Sequence, residues 1–76
     1  MKKVYVRLNT VEDAVRFVRT VDRYPFAIDL RWDHYQINAK SLLGVMGLST
    51  GECVDLCIDT MDPGNLLGAI SDYIVA

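Results

Sequence analysis

Ser41, with the apolar run that follows it, is the place in this sequence where chemistry and recognition coincide. Leu42, Leu43, Val45, Met46 and Leu48 fall within one short segment. If that segment is helical, these side chains project around most of its circumference, more than one buried face accepts. Some must therefore face solvent or a partner, and an exposed apolar cluster on a small chain is a candidate docking surface. A serine hydroxyl at the start of such a segment is a candidate control point.

The other reactive groups are sparse. His34 is the single histidine, and there are two cysteines, Cys53 and Cys57. On one strand the cysteines would stand about 13 Å apart, at ~3.3 Å per residue, too far for a disulfide. A metal pair on a strand prefers spacing of two or two separate elements, so both are read as structural or incidental. The glycines do not fit the spacings of a dinucleotide or P-loop motif. No metal, nucleotide or organic cofactor is expected.

Composition narrows the field further. The chain has 76 residues, 51% hydrophobic and 24% charged, with a formal net charge of -2. That fits a single globular domain over residues 1–76, too small to build a closed catalytic cavity easily. The charge argues against a nucleic-acid binder, which normally shows a basic face. The apolar runs fall short of the ~20 residues that a membrane span needs. Met1-Lys2-Lys3 leads into an alternating pattern rather than the apolar block of a signal peptide. A cytoplasmic location is expected, with no membrane contact.

The elements that must position these groups follow from periodicity. Val4, Val6 and Leu8 alternate with polar residues and define a strand. Thr10 caps a helix, with Asp13 three residues on, and Glu12 and Asp13 suit its positive end. Val11, Ala14, Val18 and Val21, with Phe17 and Val15 beside them, form its apolar stripe. Arg16, Arg19 and Arg23 form a solvated side. Tyr24-Pro25 ends the helix. Residues 26–32 alternate as a second strand, Asp33-His34 makes a tight turn, and residues 35–39 form a third strand. Ser41 opens the short helix as its N-cap, its hydroxyl bonding the first-turn amides, and Ser49-Thr50-Gly51 closes it. In the fourth strand Val54, Leu56 and Ile58 point inward, with Cys53, Asp55, Cys57 and Asp59 outward. Asp62-Pro63 starts a last helix carrying Leu66, Leu67, Ile70, Tyr73 and Ile74. The order β-α-β-β-α-β-α, with two-faced strands, predicts an α+β open-faced β-sandwich. Its four-stranded antiparallel sheet is covered on one face by three helices.

That order, with Lys40-Ser41-Leu42-Leu43-Gly44-Val45-Met46-Gly47-Leu48 and Gly51, resembles the HPr family of small phosphocarriers in the bacterial sugar phosphotransferase system. Family members carry a phosphoaccepting histidine at the start of the first helix, in a motif like Gly-hydrophobic-His-Ala-Arg-Pro. Counting back from Tyr24, Thr10 falls where the histidine would be, Glu12 where the arginine would be, and Asp13 replaces the proline. The preceding loop is also shortened. A phosphohistidine site needs an imidazole, helix amides and a cation, so histidine phosphotransfer is not expected. The resemblance makes Ser41 the counterpart of a regulatory serine phosphorylated by the HPr kinase/phosphorylase. It makes Leu42, Leu43, Val45, Met46 and Leu48 the counterpart of the patch that docks enzyme I, the kinase and a catabolite-control transcription factor. Half of that patch is expected to be buried, with Met46 the exposed member. The expected role is that of an adaptor or regulatory binder, monomeric or weakly dimeric. Two alternatives stand beside it: a phosphocarrier using Thr10 or His34, and a fold-only homo-oligomer.

Overall fold

The N-terminal alternation becomes strand β1 (Lys2–Arg7), with Val6 fully buried on its inner face. The structure, a computed structural model, describes residues 2–48 and 51–75. Ser49 and Thr50, expected to help close the second helix, lie outside the described residues. After β1 come α1 (Val11–Val21), β2 (Ile28–Trp32), β3 (Tyr35–Asn38), α2 (Leu42–Met46), β4 (Cys53–Ile58) and α3 (Leu66–Ala69). A 3-10 turn at Ser71–Tyr73 ends the sequence of elements.

The strands lie in the order β1-β4-β2-β3, each pair antiparallel. This is the expected open-faced sandwich. Residues opposite one another in an antiparallel pair share a face, so the alternation written in each strand propagates across the sheet. Val4, Leu56, Leu30 and Ile37 form one continuous apolar row through all four strands. Ala14, Phe17, Val18 and Val21 of α1 join the same core as this sheet face. Val11 does not; it stays 50% exposed, and the buried stripe begins one turn later at Ala14.

Two further expectations are corrected. Cys57 lies on the outward face of β4 yet is only 3% exposed. Its strand is interior to the sheet, and Lys3 and Asp29 flank it on either side. Cys53, at the start of the strand, is exposed, and both are free thiols. The last helix does not begin at Asp62-Pro63. Asp62 Oδ1 accepts a hydrogen bond from the Gly64 N–H at 3.0 Å, and Gly64 has φ of +62°. A left-handed glycine in an Asx turn stops helical progression. Helical bonding starts only after Asn65 and lasts four residues. Ile74 then bridges to Val6, and the Val75 N–H donates to the Tyr5 carbonyl at 2.9 Å, so the C-terminal segment lies along the free edge of β1.

Tyr73 joins that segment to α1 by packing edge-on against Phe17, with ring centroids 5.8 Å apart. Burial pushes its phenol above the ordinary value; Arg16 opposes the shift, and Asp13 and Asp72 reinforce it. The folded state thus favours the neutral phenol. Its stabilising contribution is intact below pH 10.0 and disappears as pH rises through the raised value. Denaturant midpoints measured across this alkaline range should therefore fall more steeply for the native chain than for Tyr73→Phe. Parallel decline of the two proteins would contradict the assignment.

Candidate functional site

Two helix N-caps lie on the covered side of the molecule, and their chemistry differs. At Thr10 the backbone is extended, with ψ of 163°, and Oγ1 accepts the Asp13 N–H at 3.0 Å. The Asp13 carboxylate in turn accepts the Asn9 N–H at 3.2 Å. This reciprocal arrangement is close to a capping box. Glu12 pairs with Arg16 at 3.2 Å. The mouth of α1 is therefore filled by its own side chains, and two carboxylates guard it.

At Ser41 the outcome is opposite. The residue is the N-cap of α2, and its carbonyl accepts the first helical bond from Val45 N–H at 2.9 Å. Its hydroxyl makes no cap hydrogen bond, contrary to expectation. The backbone there has φ of -89° and ψ of 104°, and Oγ lies beside the first turn, 3.5 Å from where a Cβ on Gly44 would stand, without bonding an amide. The side chain is exposed and its oxygen is uncommitted to the helix.

The apolar cluster sorts by angle around the α2 axis. Val45 is fully buried, and Met46 and Leu48 are partly buried against the core. Leu43 is 84% exposed and Leu42 42%. At about 100° per residue, Leu43 points roughly 160° away from Val45, so burying one exposes the other. The exposed part of the cluster is accordingly Leu42 and Leu43, with Met46 and Leu48 at its margin. Val45 is corrected to a core residue, and Met46 is not the exposed member. Gly44 explains how closely the helix lies on the sheet: a Cβ there would stand 3.3 Å from Ile37 Cδ1.

One tie around this site had no local signal in the sequence. Lys40 Nζ donates to the Tyr24 carbonyl, and the Tyr24 hydroxyl donates to Asn65 Oδ1 at 2.6 Å. The start of α2 is thereby tied to the end of α1 and the start of α3. Gly51, at φ of +83°, donates its N–H to the Leu8 carbonyl at 3.0 Å, bringing the segment after α2 beside the loop that precedes α1. His34 is not part of this assembly. It is exposed in the β2–β3 turn, where Asp33 has φ of +51°.

Among the described residues there is no enclosed pocket and no helix long and apolar enough to cross a membrane. The site is an open surface on which the exposed Ser41 adjoins the exposed Leu42 and Leu43.

No family model matches the sequence. Among characterised proteins, the chain is 35% identical over 78 residues to HPr-like protein Crh of Bacillus subtilis (strain 168), covering 96% of this chain and 92% of that protein. Among solved structures it is similar to HPr-C-His from Thermoanaerobacter tengcongensis, with a TM-score of 0.75 and 28% identity, over 95% of this chain and 89% of that one. It is also similar to the phosphocarrier protein HPr from Bacillus anthracis strain Ames. There the TM-score is 0.72 and the identity 29%, over 97% of this chain and 94% of that one.

Proposed function

The chain belongs to the HPr-like family, phosphocarrier and regulatory proteins of the phosphotransferase system rather than enzymes, and on that premise we propose that it is a regulatory binding protein that does not carry phosphate on histidine. The contrast between the two N-caps supports this reading. The Thr10 hydroxyl is consumed by Asp13, in a setting whose carboxylates repel an incoming phosphoryl group. The Ser41 hydroxyl is exposed, unbonded to its helix and beside the projecting Leu42 and Leu43.

A phosphoryl group on Ser41 would add up to two negative charges at the positive end of α2, where charge and helix dipole agree. It would also stand next to Lys40 in the sequence. The modification therefore changes the charge of the docking surface without melting its helix. The partners proposed are the HPr kinase/phosphorylase, enzyme I or a catabolite-control transcription factor, met in the cytoplasm through Leu42 and Leu43.

Two labelling reactions separate this reading from its rival. Phosphoenolpyruvate with enzyme I should leave the chain unlabelled. ATP with HPr kinase/phosphorylase should label the wild type and fail to label Ser41→Ala. Acid-labile phosphate on His34 after the first reaction would overturn the proposal in favour of an unconventional phosphocarrier. Equal labelling of Ser41→Ala in the second would remove Ser41 as the acceptor.

A further inference from the structure

The face of the sheet that no helix covers is richer in cations than the molecule as a whole. Its strand residues include Lys3, Arg7 and Arg31 against Asp29 and Asp55, and exposed Asp59 follows at the end of β4, so the face is neutral on a chain of net -2. Asp29 and Asp55 are already occupied. Lys3 pairs with Asp55 at 3.4 Å, and Gln36 Nε2 donates to Asp29 Oδ2 at 3.1 Å. Arg7 and Arg31 are left with no ion pair or hydrogen bond among the described residues. Arg31 is half-buried, and its Nε is out of contact with water and has no acceptor. Its Nη groups are not sequestered in this way, so an anionic partner can pair with them.

We propose that this face is a second binding surface, taking an acidic, extended segment of a protein partner whose carboxylates pair with Arg31 and Arg7. The two arginines are two strands and two residues apart, about 12 Å between Cα atoms at ~4.8 Å per strand and ~3.4 Å per residue. Carboxylates four residues apart on an extended chain lie on one face at about 14 Å, which matches that span. Guanidinium forks favour carboxylates through paired, charge-assisted hydrogen bonds. Tyr5 is 47% exposed on the β1 strand that carries Arg7, in the same cross-strand row as Asp55 and Arg31, and supplies an apolar body with a polar tip beside the charges. Asp55 in the row of Arg31 and Asp29 in the next row on the same face disfavour a continuous phosphate backbone, so discrete carboxylates fit better than nucleic acid. The surface is on the opposite side of the sheet from Leu42 and Leu43, so it extends the proposed function and does not depend on it.

The test is a titration of the full-length 15N-labelled chain with a synthetic deca-glutamate peptide at low ionic strength. Amide shifts should gather on residues 3, 5, 7, 31 and 55, with the Arg31 Nε–H among the largest. Arg31→Gln should weaken binding about tenfold, equivalent to roughly 1.4 kcal/mol. Arg7→Gln, an exposed position that leaves the core intact, should weaken it about fivefold. Arg19→Gln on α1 should leave affinity unchanged. Shifts centred on the arginines of α1, or full affinity in both Arg31→Gln and Arg7→Gln, would overturn the proposal. Concentration-dependent shifts of the same five residues without peptide would assign the face to a second copy and overturn it equally.

Discussion

Phe17→Ala should remove about 3–5 kcal/mol of folding stability, the usual range for truncating a buried phenylalanine. A domain of this length has only about 4–11 kcal/mol in total, at roughly 0.05–0.15 kcal/mol per residue. The variant should therefore populate the unfolded state measurably even without denaturant. Phe17 is fully buried among Ala14, Val18 and Val21, and its ring also holds Tyr73 edge-on. Losing it opens a cavity under α1 and frees the C-terminal segment that runs along β1. Urea unfolding followed by far-UV circular dichroism would measure the loss. Val11→Ala, on the same helix but half exposed, provides the control and should cost less than about 0.5 kcal/mol. A Phe17→Ala midpoint within that small margin would mean that α1 does not pack as described.

Leu43→Asp should do the reverse, sparing the fold and damaging recognition. The side chain is 84% exposed, so little packing is lost. An aspartate in the first turn of α2 also agrees with the helix dipole. Stability should stay within about 0.5 kcal/mol of wild type. Burying a leucine at an interface contributes about 1.5–3 kcal/mol, so replacing it with a charge should weaken partner binding at least tenfold. The readout is labelling of Ser41 by the kinase, taken as kcat/KM. Val45→Ala, one helical face away, should lose roughly 2 kcal/mol of stability while the folded fraction keeps its partner affinity. Should Leu43→Asp be labelled at the wild-type rate, the Leu42–Leu43 surface is not where the kinase docks.

These two outcomes mark how far the amino-acid sequence could be read. Strands were legible because side chains alternate with a period of two, a local property independent of neighbours. Val4, Val6, Leu30, Leu56 and Ile58 fell on the predicted face for that reason, and the Asp33-His34 turn followed from its position between two alternating runs. The Thr10 cap was legible because its partner, Asp13, is three residues away. The family resemblance in residues 39–51 was legible as a spacing of serine, glycines and apolar residues, and the 35% identity to a family member agrees with it.

What was not legible depended on contacts between distant segments. Five apolar residues in a short helix leave its orientation open; the sheet beneath chose Val45 as the inward residue and so exposed Leu43 rather than Met46. The Ser41 hydroxyl makes no cap bond, and composition does not encode the backbone angles where β3 hands over to α2. Asp62-Pro63 reads as a helix start until Gly64 takes a left-handed turn and moves the helix on to Leu66. Cys57 alternates outward, yet its burial follows from β4 lying between β1 and β2. The sequence alone determined which face each strand shows and where α1 begins, because those signals act over two to four residues. Tertiary structure decided the strand order, the buried side of α2 and the tie from Lys40 through Tyr24 to Asn65, because each depends on which segments, far apart in the chain, compete for the same core.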